Sequence, residues 1–141
     1  MSKLIYIING PNLNLLGERE TNIYGHVSLS EIEEECTKLC NSLKLKLLFL
    51  QSNAEYQIID WIHEARNNGS AIIINAAAFS HTSIAILDAL NAFDRKVIEV
   101  HLSDISKREE FRQFSFISLR ADKIFMGEGL NSYIKAIRFL C

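Results

Sequence analysis

At 141 residues, 48 % of them hydrophobic and 23 % charged, the chain has the size and composition of one folded domain spanning residues 1–141. Fifteen Lys+Arg against 17 Asp+Glu leave a net charge of -2, which disfavours nucleic acid as a partner. Leu4–Ile8 is too short for a signal-peptide core and no run approaches the ~18 apolar residues of a membrane span, so a cytoplasmic protein without membrane contact is expected.

Leu4–Ile8 is a continuous apolar run, the pattern of a strand buried on both faces. Ser28-x-x-Glu31 is a capping box, followed by Leu29, Ile32, Cys36, Leu39, Cys40 and Leu43 at helical spacing. Cys36 and Cys40 sit there as small core residues; three cysteines without a CxxC pair make no disulfide framework. Leu45–Leu50 is the second strand. A second box, Ser52-x-x-Glu55, opens a helix with an inner face of Ile58, Ile59, Ile62 and Ala65, closed by Asn67-Asn68-Gly69. Ala71–Ile74 is the third strand, and Ile84, Ala85, Leu87, Ala89 and Leu90 predict a third helix. Val97–Val100 is the fourth strand, Ser106-x-x-Glu109 caps a short helix, and Lys123–Met126 is the fifth strand. Leu130, Tyr133, Ile134, Ile137 and Leu140 give the last helix its buried stripe.

Strand and helix thus alternate, which predicts an α/β three-layer sandwich around a five-stranded parallel sheet. Right-handed crossovers favour the flavodoxin-like order 2-1-3-4-5, with a ligand crevice beyond the carboxyl ends of strands 1 and 3. The residues after those strands are unusually polar. Asn9-Gly10-Pro11-Asn12-Leu13-Asn14 follows strand 1 and leads through Arg19 to Tyr24 and Gly25. Asn75 follows strand 3, with Ser80 to Ser83 just beyond. His101-Leu102-Ser103-Asp104 follows strand 4, then Arg108 and Arg112.

Singly, each of these residues is ordinary. His101 suits a structural histidine, His81 a helix cap, Arg19 a solvated cluster with Glu18 and Glu20, and Tyr24 a loop anchor. Arg108 and Arg112 with Glu109 suit surface ion pairs, worth only tenths of a kcal/mol. His26 and His63 lie off the rim. Three loops nevertheless deliver these groups to one end of one sheet.

The chemistry is narrowed by what is missing. There is no GxGxxG, GxxxxGK[ST] or GxSxG motif and no metal-ligand spacing, and neither Lys3 nor Lys96 sits on the rim. Cofactor-free acid–base chemistry on a small polar substrate remains, with arginines and helix-start amides ready for a carboxylate.

Over residues 5–137 the motifs resemble the type II 3-dehydroquinate dehydratases of the shikimate pathway. They are Asn9-Gly10-Pro11-Asn12-Leu13-Asn14-Leu15-Leu16-Gly17, Arg19-Glu20 with Tyr24-Gly25, Gln51-Ser52-Asn53, Asp60-Trp61-Ile62 and His81-Thr82-Ser83. Glu99-Val100-His101-Leu102-Ser103 with Arg108-Glu109-Glu110-Phe111-Arg112 completes them. The resemblance implies a flavodoxin-like fold, no cofactor, and a homododecamer built as a tetramer of trimers. It implies anti elimination of water from 3-dehydroquinate through an enolate, giving 3-dehydroshikimate. Tyr24 matches the base that takes the α-proton, and Arg19 is the cation expected to help a phenol ionise. Asn12 would hold a water on the enolate oxygen, and His101, oriented by Glu99, would protonate the departing hydroxyl. Asn75, His81 and Arg112 match hydroxyl contacts, and Leu102 and Ser103 the carboxylate site. Asp88 matches a residue that reaches a neighbouring subunit's site.

Two departures stand out. The family's usual Asn-Pro-Gly-Ala is Asn75-Ala76-Ala77-Ala78 here, and a left-handed residue at the missing glycine would cost alanine roughly 1 kcal/mol. Asp104 replaces a common asparagine, placing a negative charge near the expected carboxylate site and predicting modestly weaker binding. The competing readings are a flavodoxin-like module that holds a small ligand without catalysis, and a silent subunit serving assembly. The first does not explain a paired Arg19/Tyr24 loop facing a histidine. The second should have lost one of Arg19, Tyr24 or His101.

Overall fold

In the computed structural model, which describes residues 3–141, five parallel strands carry the chain: β1 (Leu4–Asn9), β2 (Lys46–Gln51), β3 (Ala71–Asn75), β4 (Lys96–His101) and β5 (Lys123–Met126). Their order is β2-β1-β3-β4-β5, as the alternation predicts. The helices are a single turn α1 (Thr21–Tyr24), then α2 (Leu29–Ser42), α3 (Glu55–Asn68), α4 (Ile84–Asn91) and α5 (Leu130–Phe139).

The central strands are apolar on both faces because both faces are covered. Ile5, Ile7, Ile73 and Ile98 pack with Ile32, Cys36 and Cys40 of α2 and Tyr133, Ala136 and Ile137 of α5. Tyr6, Ile8, Ile72 and Ile74 pack with Ile58, Ile62 and Ala65 of α3 and Ile86, Ala89 and Leu90 of α4. Each such isoleucine contributes about 1.5–3 kcal/mol by leaving water. Burial pushes the Cys36 and Cys40 thiols up to about 12 and about 11, in keeping with packing residues.

Three local expectations need correction, and one gains detail. The Ser28 box forms, its hydroxyl accepting from Glu31 N at 3.2 Å, but Ser52 does not cap α3. Its hydroxyl accepts from Ala54 N at 2.9 Å in a tight turn, and α3 starts after Ala54. Ser106 is likewise no cap: Asp104 accepts from Ser106 N and Oγ and starts a short 3-10 turn, Ile105–Lys107. On α4 the buried stripe is Ile86, Ala89 and Leu90, while Ile84 and Ala85 are exposed and Leu87 half-buried. Gly69 ends α3 without a left-handed turn; glycine is needed there because a Cβ would lie 2.9 Å from the Tyr6 ring.

At the carboxyl edge, Asn9 aligns with Gln51 on one side and Asn75 on the other. Here the chain leaves β1 and β3 in opposite directions. The two departing loops touch: Gly10 N donates to Asn75 O at 2.8 Å, and a Cβ on Gly10 would stand 2.2 Å from Ala76 O. Only glycine permits that approach. The sheet order places the crevice; this contact closes its floor.

Candidate active site

Above the β1–β3 switch point lies a cleft of about 110 Å³. Asn12, Arg19, Tyr24, Asn75, His81, His101, Leu102, Ser103 and Arg112 all line it, drawn from three loops. Glu99 lies beneath, fully buried, in contact with His101. Asp88 is exposed on α4 and does not line the cleft of its own chain.

Tyr24 ends the single turn α1, entered through Glu20 at φ 42° and left through Gly25 at φ 81°. Arg108 Nη1 donates to the Tyr24 hydroxyl at 3.2 Å and to Ser103 Oγ at 3.3 Å. Arg19 pairs with Glu20 instead and lies over the Tyr24 ring, 4.9 Å from its centroid. Arg108 flanks the same ring at 5.4 Å. The cation at the hydroxyl is therefore Arg108, and Arg19 serves the ring face. Both Nε atoms are buried without a protein hydrogen-bond partner, leaving guanidinium donor capacity unused at the cleft.

The histidines are fixed through one nitrogen each. His101 Nε2 meets Glu99 Oε2 at 2.5 Å. Burial alone would raise the Glu99 carboxyl, but hydrogen bonding and charge from His101, with the Ser115 and Ser118 hydroxyls, outweigh it and hold it below the usual range. An ionised Glu99 can only accept, so His101 carries its proton on Nε2 and keeps Nδ1 free. His81 Nδ1 lies 2.8 Å from Phe114 O, a carbonyl that can only accept, so His81 keeps Nε2 as an acceptor. Burial holds the His81 imidazole below its ordinary value, with His101, Arg112 and Arg108 acting in the same direction.

The amides rest on a polar floor. Asn12, at φ 69°, donates its N–H to Asn53 Oδ1 at 3.0 Å, and Gln51 Nε2 reaches both Gly10 O and Asn53 Oδ1 at 3.2 Å. Asn75 Nδ2 donates to Tyr133 Oη at 2.9 Å, and Tyr133 donates to Asn9 Oδ1 at 2.7 Å. Burial raises the Tyr133 hydroxyl far above the usual tyrosine range, so it is a neutral link. Arg112 is braced by Glu109 at 2.6 Å. Among the described residues, no three His, Cys, Asp or Glu side chains gather as a metal-ligand group.

A family model described as Dehydroquinase class II matches residues 3–141. The chain is 53 % identical to 3-dehydroquinate dehydratase 2 of Agrobacterium fabrum, over 97 % of this chain and 93 % of the relative. It is 50 % identical to the 3-dehydroquinate dehydratase of Cereibacter sphaeroides, over 100 % of this chain and 96 % of that one. The chain belongs to the class II dehydroquinase family. The crystal structure of the type II dehydroquinase from Butyrivibrio crossotus superposes with a TM-score of 0.96 at 42 % identity, covering 99 % of this chain and 97 % of that one.

Within this dehydroquinase family, the departure after β3 has a visible backbone cost. Ala77 takes φ 52°, a left-handed conformation that favours glycine. Asn75 Oδ1 accepts from Ala77 N at 3.2 Å, bracing the strained turn. Asp104 spends its Oδ1 on Ser106 N and Oγ. The sequence singles out Arg108 only as a rim residue, since its partner Tyr24 lies 84 positions away. Tyr133 shows in the sequence only as a helix-stripe residue and Asn9 only as the start of a polar motif, while Ser115 and Ser118 carry no signal of their own. They act from below the rim, through other side chains.

Proposed function

We infer that this chain is a type II 3-dehydroquinate dehydratase, a hydro-lyase of the shikimate pathway that removes water from 3-dehydroquinate to give 3-dehydroshikimate. The observation that carries the mechanism is the pairing of a cation-flanked phenol with a carboxylate-anchored imidazole across one small cleft.

Tyr24 takes the proton α to the ketone. Arg108 donates to its oxygen and Arg19 lies over its ring, which holds the phenol in place for that transfer. The C–H electron pair moves onto the ketone oxygen as an enolate, which a water held by Asn12 stabilises. Collapse of the enolate forms the carbon–carbon double bond and breaks the bond to the leaving hydroxyl. His101, doubly protonated and stabilised by Glu99, gives its Nδ1 proton to that oxygen, and water departs. His81, through Nε2, with Asn75 and Arg112, holds the substrate hydroxyls. The Leu102 and Ser103 amides with the Ser103 hydroxyl hold its carboxylate. No metal, imine or redox step enters this scheme, because each proton and electron pair has a protein or substrate acceptor.

Asp88 works from a neighbouring chain in this reading, within a homododecamer built from trimers. Its exposure on α4 beside Ile84, itself 56 % exposed, supports a protein neighbour on that face. A cytoplasmic setting fits three cysteines left as free thiols.

The deciding experiment follows the ultraviolet absorbance of the enone product from 3-dehydroquinate, in wild type and Tyr24→Phe. Wild type turns over. The variant loses about 10²–10⁴-fold in kcat, with affinity within about tenfold. A wild type that binds 3-dehydroquinate without releasing enone would reduce the chain to a binding module.

A further inference from the structure

Between the arginine loop and β5 the chain runs as an irregular strap whose residues lie behind the cleft. Phe116 N donates to Ser80 O at 2.7 Å, pinning this strap to the turn that carries His81. Ser115 Oγ donates to Glu99 Oε2 at 2.6 Å, and Ser118 Oγ donates to Glu99 Oε1 at 2.5 Å. Neither serine lines the cleft. They spend their hydroxyl protons on a carboxylate that is itself 0 % exposed.

A carboxylate this deeply buried is sustained only by pairing and full hydrogen bonding. His101 supplies one partner, to Oε2. The serines supply a second on Oε2 and, among the described residues, the only side-chain partner on Oε1. Two donors on different oxygens also fix the rotation of the carboxylate plane, which one histidine contact does not.

We propose that Ser115 and Ser118 are positioning residues for dehydration: they keep Glu99 ionised and oriented so that it captures the Nε2–H of His101 and leaves Nδ1 for the substrate. This rests on the assignment of His101 as the acid. Without the hydroxyls, burial meets less opposition at Glu99 and its carboxyl shifts toward the neutral form. A neutral Glu99 no longer dictates the tautomer of His101 or stabilises its doubly protonated form. The other charged or titratable groups around His101 and the cleft are His81 from the 77–81 turn, Tyr24 from α1, Arg19 and Glu20 just before α1, and Arg108 and Arg112 from the loop after β4. None of these bonds to either serine side chain, so serine substitution addresses Glu99 alone.

The test compares wild type with Ser115→Ala, Ser118→Ala, the double variant and Ser118→Thr. Each single alanine lowers kcat about tenfold, the scale of one hydrogen bond to a buried charge, and the double variant loses more. KM stays within about threefold. The acidic limb of the kcat profile moves to higher pH as Glu99 takes up its proton more readily. Exchange of the substrate's α-proton with solvent deuterium persists, so the ratio of exchange to dehydration rises. Ser118→Thr, which restores a hydroxyl, recovers most of the loss. Nitrogen-15 spectra of the ligand-free protein show His101 as the Nε2–H form in wild type and as a tautomer mixture in the double variant. An unchanged tautomer with unchanged kcat overturns the proposal, as does an equal loss of exchange and dehydration. If Ser115→Ala fails to fold, Ser118→Ala carries the same readouts from a partly exposed position. The tautomer measurement needs no substrate, so it decides the role of the serines even if the native protein dehydrates nothing.

Discussion

Arg108 places its guanidinium 3.2 Å from the Tyr24 hydroxyl, across 84 positions of sequence. That contact also draws in Ser103 at 3.3 Å, so one side chain joins Tyr24 to the loop after β4. Arg19 completes the enclosure from the ring face. Two guanidinium groups thus hold one phenol in position before substrate arrives.

Arg108→Gln and Arg19→Gln should therefore each cost about 10² or more in kcat, the scale of removing one preorganised donor from an active site. Arg108→Lys should rescue poorly, because an ammonium cannot meet Tyr24 and Ser103 together as the planar fork does. Steady-state kinetics decide the point. Near-normal turnover in Arg108→Lys would leave only its charge as relevant.

His101→Ala should separate the two halves of the reaction. Tyr24 still makes the enolate, so the α-proton exchanges with solvent deuterium, provided that the phenol proton itself exchanges before returning. Expulsion of the hydroxyl lacks its acid, and net dehydration falls about 10²–10⁴-fold. Mass spectrometry of recovered substrate reads the exchange. A variant that dehydrates normally would hand the acid role to another group.

Half-buried His81 and buried Glu99 each add to the pH dependence of stability. The folded His81 sits below its ordinary 6.5, chiefly through burial, so the unfolded chain binds that proton more readily. Stability accordingly falls as pH drops below 6.5 toward the lowered folded value. Glu99 is also held low, so its contribution is present above the ordinary 4.5 and is lost as pH falls through its depressed value. Urea midpoints should show the upper window flattened in His81→Asn, whose amide keeps a donor for Phe114 O. They should show the lower window flattened in Glu99→Gln. An unaltered slope in either variant removes that residue from the account.

Ala77→Gly should be neutral to stabilising by about 1 kcal/mol, since it relieves the left-handed turn against a greater loss of chain entropy. Thermal melts measure it. A clear destabilisation would mean that the alanine methyl packs well enough to outweigh the strain.

The sheet order was legible because five apolar runs alternate with helical stripes, and chirality leaves few ways to connect them. The cleft residues were legible because parallel strands end at one edge, which collects Asn12, Asn75 and His101 without any tertiary knowledge. The α4 stripe was misread since Ile84, Ala85 and Leu87 are as apolar as Ile86, and spacing alone does not choose between two apolar faces. Both failed boxes share another cause. Ser52 and Asp104 satisfy backbone groups two residues on, in turns that compete with helix capping. The tyrosine–arginine contact stayed hidden for a different reason, because Arg19 is near Tyr24 in sequence while Arg108 is near it in space.

The hydroxyl of Tyr133, bonded between Asn9 and Asn75, has a consequence for how the chain is made. Asn9 and Tyr133 are 124 positions apart, so β1 emerges from the ribosome long before the residue that braces its end. A nascent chain holding all five strands but not α5 has the rim loops in hand without the Tyr133 brace beneath them. The buried amides of Asn9 and Asn75 then lack their shared partner, and α2 faces water where α5 should lie. Docking of α5 thus completes both the core and the floor of the cleft.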